Sequence, residues 1–127
     1  MNDTTEIFRG LRTVIYGVPD ISRAKEWYSR AFGIEPYFDQ PYYVGFSVGG
    51  FELGLDPNSP SGAGGTTAYW GVDNIDDAMN RMQELGATIA TAAKDVGEGI
   101  KVGTVADPFG NQLGIIENPH FDPEATR

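Results

Sequence analysis

Cysteine and histidine, the usual carriers of nucleophilic and metal chemistry, are all but missing from this sequence. No cysteine is present, which excludes disulfides, thiolate metal sites and cysteine nucleophiles. The one histidine, His120, falls in ENPHFDPEATR; imidazole is the commonest metal ligand, and with Glu117 it makes a weak pair of donors. Glu52, in FELGLDP, is the carboxylate best placed for more. On the wall of a pocket it can act as a general base toward a proton next to a carbonyl. The same residue also suits a structural acid bonded to Ser47 or to a lysine, because ion-pair networks imitate active sites, and both roles stay open.

The bulk properties limit what Glu52 could meet. The chain has 127 residues, 40% of them hydrophobic and 12% aromatic, enough for one packed domain. Eighteen acidic against nine basic residues give a formal charge of −9. That charge disfavours nucleic acid or an anionic membrane and favours cationic ligands. The opening MNDTTEIFRG contains no apolar run of the kind a secretion signal needs, and no segment reaches the length of a membrane span. A soluble, cytoplasmic protein is expected.

The elements that would position these residues come in two copies. GVPDISRA begins at Gly17 and GVDNIDDA at Gly71. Each copy follows an alternating stretch with the period of a strand, Val14, Tyr16 and Val18 in one, Ala68, Trp70 and Val72 in the other. Each then opens a helix. Asp20 and Asn74 suit N-caps, Gly33 and Gly86 suit stops, and the apolar stripes are Ala24, Trp27, Tyr28, Ala31 and Phe32, then Ile75, Ala78, Met82 and Leu85. This periodicity sends Trp27, Tyr28 and Phe32, with Trp70, into the core. Strands are expected at about 35–39, 42–48 and 51–56, and again at about 87–91, 100–106 and 112–117. Both modules therefore read βαβββ. The fold is expected to be α+β, a single domain over residues 1–127. Its two tandem modules, about 11–57 and 66–119, carry curved mixed sheets that enclose a cleft. NSPSGAGG, residues 58–65, is a linker with nothing that calls for packing, and 120–127 form a tail. That glycine-rich segment precedes a strand and not a helix, so it is no phosphate loop.

Strand alternation assigns the faces. VGGF reads as a two-residue hairpin pairing Val48 with Phe51, Ser47 with Glu52 and Gly45 with Gly54. DPFG, treated as a turn over Asp107–Gly110, pairs Val105 with Gln112, Gly103 with Gly114 and Lys101 with Ile116. Each wall then carries two facing glycines, which read either as space for a ligand or as relief of crowding in a strongly bent sheet. The residues expected to face the cavity are Thr13, Ile15, Tyr43, Ser47, Glu52, Thr67, Tyr69, Lys101, Gln112 and Ile116, with Phe109 at the turn covering one end. Their mixture of aromatic, aliphatic and polar groups suits a small-molecule pocket.

The duplicated text TVIYGVPDISRAKEWYSRAFGIEP, its second-module equivalent and DPFGNQLGIIEN together resemble the vicinal oxygen chelate superfamily, over residues 11 to 119. That superfamily includes glyoxalase, bleomycin-resistance proteins and extradiol dioxygenases. The resemblance implies the paired-module fold, a homodimer, and in the enzymes a divalent metal held by histidine, glutamine or glutamate. The positions that would carry those ligands are Thr13, Gly54, Thr67 and Gly114. None offers an imidazole or a carboxylate, so the resemblance brings no metal ligand to this chain and no cofactor is expected, though a divalent metal at other positions is not excluded. The function expected is a small-molecule binder, with sequestration of an antibiotic or toxic compound as one form. The alternative is a lyase, isomerase or dioxygenase that works from a different site.

Overall fold

The computed structural model describes residues 7–62 and 64–126. The element order is β1 (Phe8–Gly17), α1 (Ile21–Phe32), β2 (Phe38–Gln40), β3 (Tyr43–Val48), β4 (Phe51–Asp56), β5 (Thr66–Val72), α2 (Ile75–Glu84), β6 (Thr88–Gly97), β7 (Ile100–Ala106) and β8 (Gln112–Glu117), ending in a short 3-10 turn (Pro123–Ala125). This is α+β, with βαβββ written twice. The chain forms two compact units, one of residues 13–67 and 122–126, the other of residues 7–12 and 68–121.

In the unit containing α1 the strands are ordered β2-β3-β4-β1. β4 runs antiparallel to β3 and parallel to β1, so the sheet is mixed. Val44, Phe46, Leu53 and Leu55 form its buried core, and Tyr16, Val18, Ile21, Ala24, Tyr28 and Ile34 pack against them. These are alternate residues of each strand, so the opposite face of the sheet turns away from α1. The helix starts where expected. Asp20 accepts the Arg23 N–H at 3.1 Å, and the chain leaves the helix through Gly33 at φ 69°. With open space around it, Gly33→Ala is expected to cost about 1 kcal/mol, the strain of a left-handed conformation, read as a lower urea midpoint.

The helix departs from the sequence reading in its aromatic stripe. No residue of α1 is fully buried; Trp27 is 56% and Phe32 44% exposed. Trp27 stacks edge-on against Tyr28, with centroids 4.8 Å apart, and leaves Tyr28 to face the sheet. A four-stranded sheet ending in the three-residue β2 is too narrow to cover so wide a stripe. Trp70, on β5, is likewise 39% exposed. The linker differs too, for Gly17 donates its N–H to Gly65 O at 3.2 Å. A Cβ at Gly17 would run into the Pro60 carbonyl, so the linker backbone packs where a side chain would not fit.

In the other unit the order is β5-β8-β7-β6. Val72, Ile75, Ala78, Met79, Val105 and Ile115 form its core. Asn74 caps α2 by accepting the Asp77 N–H at 3.0 Å. Here the expected register is corrected by one residue. Asp107 donates its N–H to Asn111 O, leaving a three-residue loop, Pro108-Phe109-Gly110, with Gly110 at φ 88°. This is the turn-plus-glycine-bulge loop, which carries the same Pro and Gly signals as a tighter turn but adds a residue. Gly103 therefore pairs with Ile115, Thr104 with Gly114, and Lys101 with Glu117. Lys101 moves to the helix-side row with Gly103 and Val105, and Thr104 and Val102 move to the opposite face.

Thr104 is 5% exposed, and its hydroxyl has no hydrogen-bond partner among the described residues. An unmet buried hydroxyl is costly, so Thr104→Val is expected to raise stability by about 1 kcal/mol, seen as a higher urea midpoint.

Candidate functional site

The face of the first unit turned away from α1 gathers three hydroxyls around one carboxylate. Glu52 lies on β4, opposite Thr13 of β1 and Ser47 of β3. Its Oε1 accepts the Thr13 hydroxyl at 3.2 Å and the Tyr43 hydroxyl at 2.9 Å. Its Oε2 accepts the Tyr37 hydroxyl. No lysine or arginine pairs with it among the described residues. Both structural partners foreseen for Glu52, Ser47 and a lysine, thus give way to three hydroxyls.

The partners differ in how firmly they are held. Thr13 is 6% exposed in the middle of β1. The Tyr43 ring lies across Gly54, where a Cβ would collide with its hydroxyl. Tyr37 stands in the loop between α1 and β2 and is 64% exposed. Its backbone N–H donates to Gly45 O at 3.0 Å, and its ring crosses Gly45, where a Cβ would lie 2.7 Å from Glu52 Oε2 and 3.1 Å from Tyr37 Cε1. The glycine pair is therefore not vacant space. It is the clearance that lets two tyrosines and a glutamate lie flat on the sheet.

Desolvation, then the hydrogen bond to Glu52 and its charge, push the Tyr37 phenol well above its ordinary range. A folded-state value raised above the unfolded one, near 10, stabilises the fold below about pH 10, and that contribution is lost as pH rises further. The urea midpoint of the wild type is therefore expected to fall more steeply above pH 10 than that of Tyr37→Phe. Parallel alkaline profiles would show that the phenol titrates as in the unfolded chain.

The remaining predicted residues fall in several places. Ile15 pairs with Gly54 on the Glu52 face, and Ser47 on that face is exposed. Thr67, on β5, is half-buried. In the second unit Tyr69 pairs with Gly114 and its ring lies over that glycine, where a Cβ would come 2.6 Å from Cδ2. Gln112 and Ile116 share that row of β8. Gly103 instead faces Met79, whose Cε would lie 3.0 Å from a Cβ. Phe109, at the turn, is 86% exposed. Lys101 is the one cavity residue displaced to the wrong face, by the extra loop residue. Tyr37 was missed, because β2 begins only at Phe38, later than the strand expected at about 35–39, and the bend before it breaks the alternation that would assign a face.

The donors do not fit the metal of the resembled enzymes. Thr13, Gly54, Thr67 and Gly114 supply two hydroxyls and two bare α-carbons, and among the described residues no three His, Cys, Asp or Glu side chains converge. Glu117 and His120 are engaged elsewhere. Glu117 accepts the Ile75 N–H at 2.9 Å, and His120 Nε2 bonds the Glu98 carbonyl at 2.8 Å. A hollow of about 230 Å³ beside α1, lined by Ile21, Ser22, Lys25, Asp39, Gln40, Pro41 and Val44, is a weaker candidate, since Asp39 is already paired with Lys25 at 2.9 Å.

The fold has counterparts of known structure. Methylmalonyl-CoA epimerase from Mycobacterium tuberculosis superposes with a TM-score of 0.70 at 18% identity, covering 98% of this chain and 95% of that one. A variant of the Streptomyces coelicolor epimerase in complex with 2-nitronate-propionyl-CoA gives 0.72 at 12% identity over 88% and 99% of the two chains. A glyoxalase/bleomycin resistance protein/dioxygenase superfamily member from Vibrio splendidus 12B01 gives 0.64 at 21% identity over 85% and 99%. Comparison with curated proteins finds no match. At these identities the likenesses speak for the fold. The family model of the same superfamily matches residues 10–115, most of the sequence. On that match, the chain belongs to the Glyoxalase/Bleomycin resistance protein/Dioxygenase superfamily.

Proposed function

We propose that this protein binds a small organic cation on the Glu52 face, using its own side chains and no metal held at the family positions. The observation that carries this reading is Glu52 itself, a half-buried carboxylate held by three hydroxyls, with no basic side chain paired to it among the described residues. A fixed anion beside tyrosine rings suits an amidinium or ammonium group, which gains from the charge and from the aromatic faces together. The net charge of −9 would draw such ligands in. The reading includes a homodimer, as the resemblance implies, and the cytoplasmic location expected from the sequence; no described helix is long and apolar enough to cross a membrane. Calorimetry on the full chain with amidines, quaternary ammonium compounds and cationic glycopeptides tests the proposal. Binding of at least one class is expected, and heats of dilution across the whole panel would reject it.

A second reading is favoured by the contact between the Glu52 carboxylate and the Tyr37 phenol. That pairing of acceptor and donor suits isomerase chemistry, in which Glu52 removes a proton next to a carbonyl and returns it. Exchange of the substrate α-hydrogen in D₂O, followed by NMR with methylmalonyl-CoA and simpler acyl thioesters, tests it. Exchange no faster than without protein would remove this reading and leave the first untouched.

A further inference from the structure

The two oxygens of Glu52 are held differently. Oε1 accepts from Thr13 and Tyr43. Thr13 is buried within β1, and the Tyr43 ring rests on Gly54 of β4. Oε2 accepts from Tyr37, whose backbone is pinned by its hydrogen bond to Gly45 O but whose side chain is 64% exposed. Rotation about the side-chain torsions of Tyr37 needs no backbone movement and exposed rings turn quickly. Once the ring swings outward, the bare α-carbon of Gly45 leaves room directly beside Oε2, because the three atoms nearest the place a Cβ would occupy, chain neighbours aside, are Oε2 itself and Cε1 and Cζ of the Tyr37 ring.

Resting on the cation-binding reading, we infer that Tyr37 is a displaceable latch, its hydroxyl standing in for the N–H donor of the ligand at Glu52 Oε2, while Thr13 and Tyr43 keep Oε1 fixed. The latch makes the site selective. A ligand must bring a donor able to replace a charge-assisted hydrogen bond, and an apolar molecule or a quaternary ammonium without N–H cannot do so. A planar amidinium offers two parallel donors to a carboxylate and suits Oε2 best.

The test uses the full chain and benzamidinium as probe. Tyr37→Phe keeps the ring and removes the bond that the ligand must break, so it is expected to bind benzamidinium about tenfold or more tightly than wild type, whereas Glu52→Gln is expected to bind it about thirtyfold or more weakly. Equal or weaker binding by Tyr37→Phe would overturn the latch, since it would make the hydroxyl a bystander or a ligand contact. So would benzamidinium failing to bind wild type and Tyr37→Phe alike, whereas the binder reading falls only if the whole cationic panel also fails. A second readout excludes a merely structural role. In tyrosine labelled at Cζ, the resonance missing from Tyr37→Phe is expected to shift at neutral pH in Glu52→Gln and, in wild type, on adding benzamidinium. No shift at saturation would mean that Tyr37 stays in place, and the latch would be rejected.

Discussion

Glu52→Gln is expected to weaken binding of organic cations by about thirtyfold to several hundredfold, the loss for removing one partner of a desolvated charge pair. The amide keeps the length of the side chain but loses its charge, and one of its two ends becomes a donor facing donors. Its carbonyl can still accept from Thr13 and Tyr43, which leaves Tyr37 as the hydroxyl without an acceptor. Because Tyr37 is mostly exposed, water can replace that bond, and the stability cost is expected to stay near 1 kcal/mol. Calorimetry and a urea titration on the same preparation separate the two effects. Unchanged affinity in a folded variant would move the binding site away from this carboxylate.

Phe46→Ala is expected to carry the largest stability loss, about 3–5 kcal/mol, out of the 5–15 kcal/mol that domains of this kind possess. Phe46 is fully buried between Val44, Leu53 and Leu55, and α1 contributes only half-buried side chains to that cluster. A urea midpoint should drop sharply, with cooperativity lost if the first unit opens before the second. Phe109→Ala, in a loop and 86% exposed, is the matched control and should move the midpoint by no more than about 0.5 kcal/mol. Equal losses in the two variants would contradict the burial that separates them.

Much of the first unit was legible because its signals are local. Asp20 and Gly33 mark the ends of α1 by side-chain capping and a left-handed backbone, and VGGF marks a hairpin because only glycine takes two positive φ values in succession so readily. From that hairpin the pairing of Ser47 with Glu52 and the face of Thr13, Ile15 and Tyr43 followed by alternation alone. DPFG was less informative, since Pro and Gly occur in loops of different lengths. One extra residue moved Lys101 to the helix side and Thr104 to the other.

What the sequence by itself determined was the duplicated βαβββ order, the main caps, one hairpin register and the absence of family metal ligands at Thr13, Gly54, Thr67 and Gly114. These depend on residue identity and short spacing. Only the tertiary structure decided what lies over each strand glycine, because a missing Cβ announces close approach without naming the neighbour: Tyr43 over Gly54, Tyr37 and Glu52 over Gly45, Tyr69 over Gly114 and Met79 against Gly103. It also decided that Trp27 and Phe32 stay partly exposed, since periodicity gives the direction of a helical stripe but not the width of the sheet that must cover it. Tyr37 belongs to the same class. Its place beside Glu52 arises from a loop folding back across β3, a long-range contact with no periodic trace in the chain.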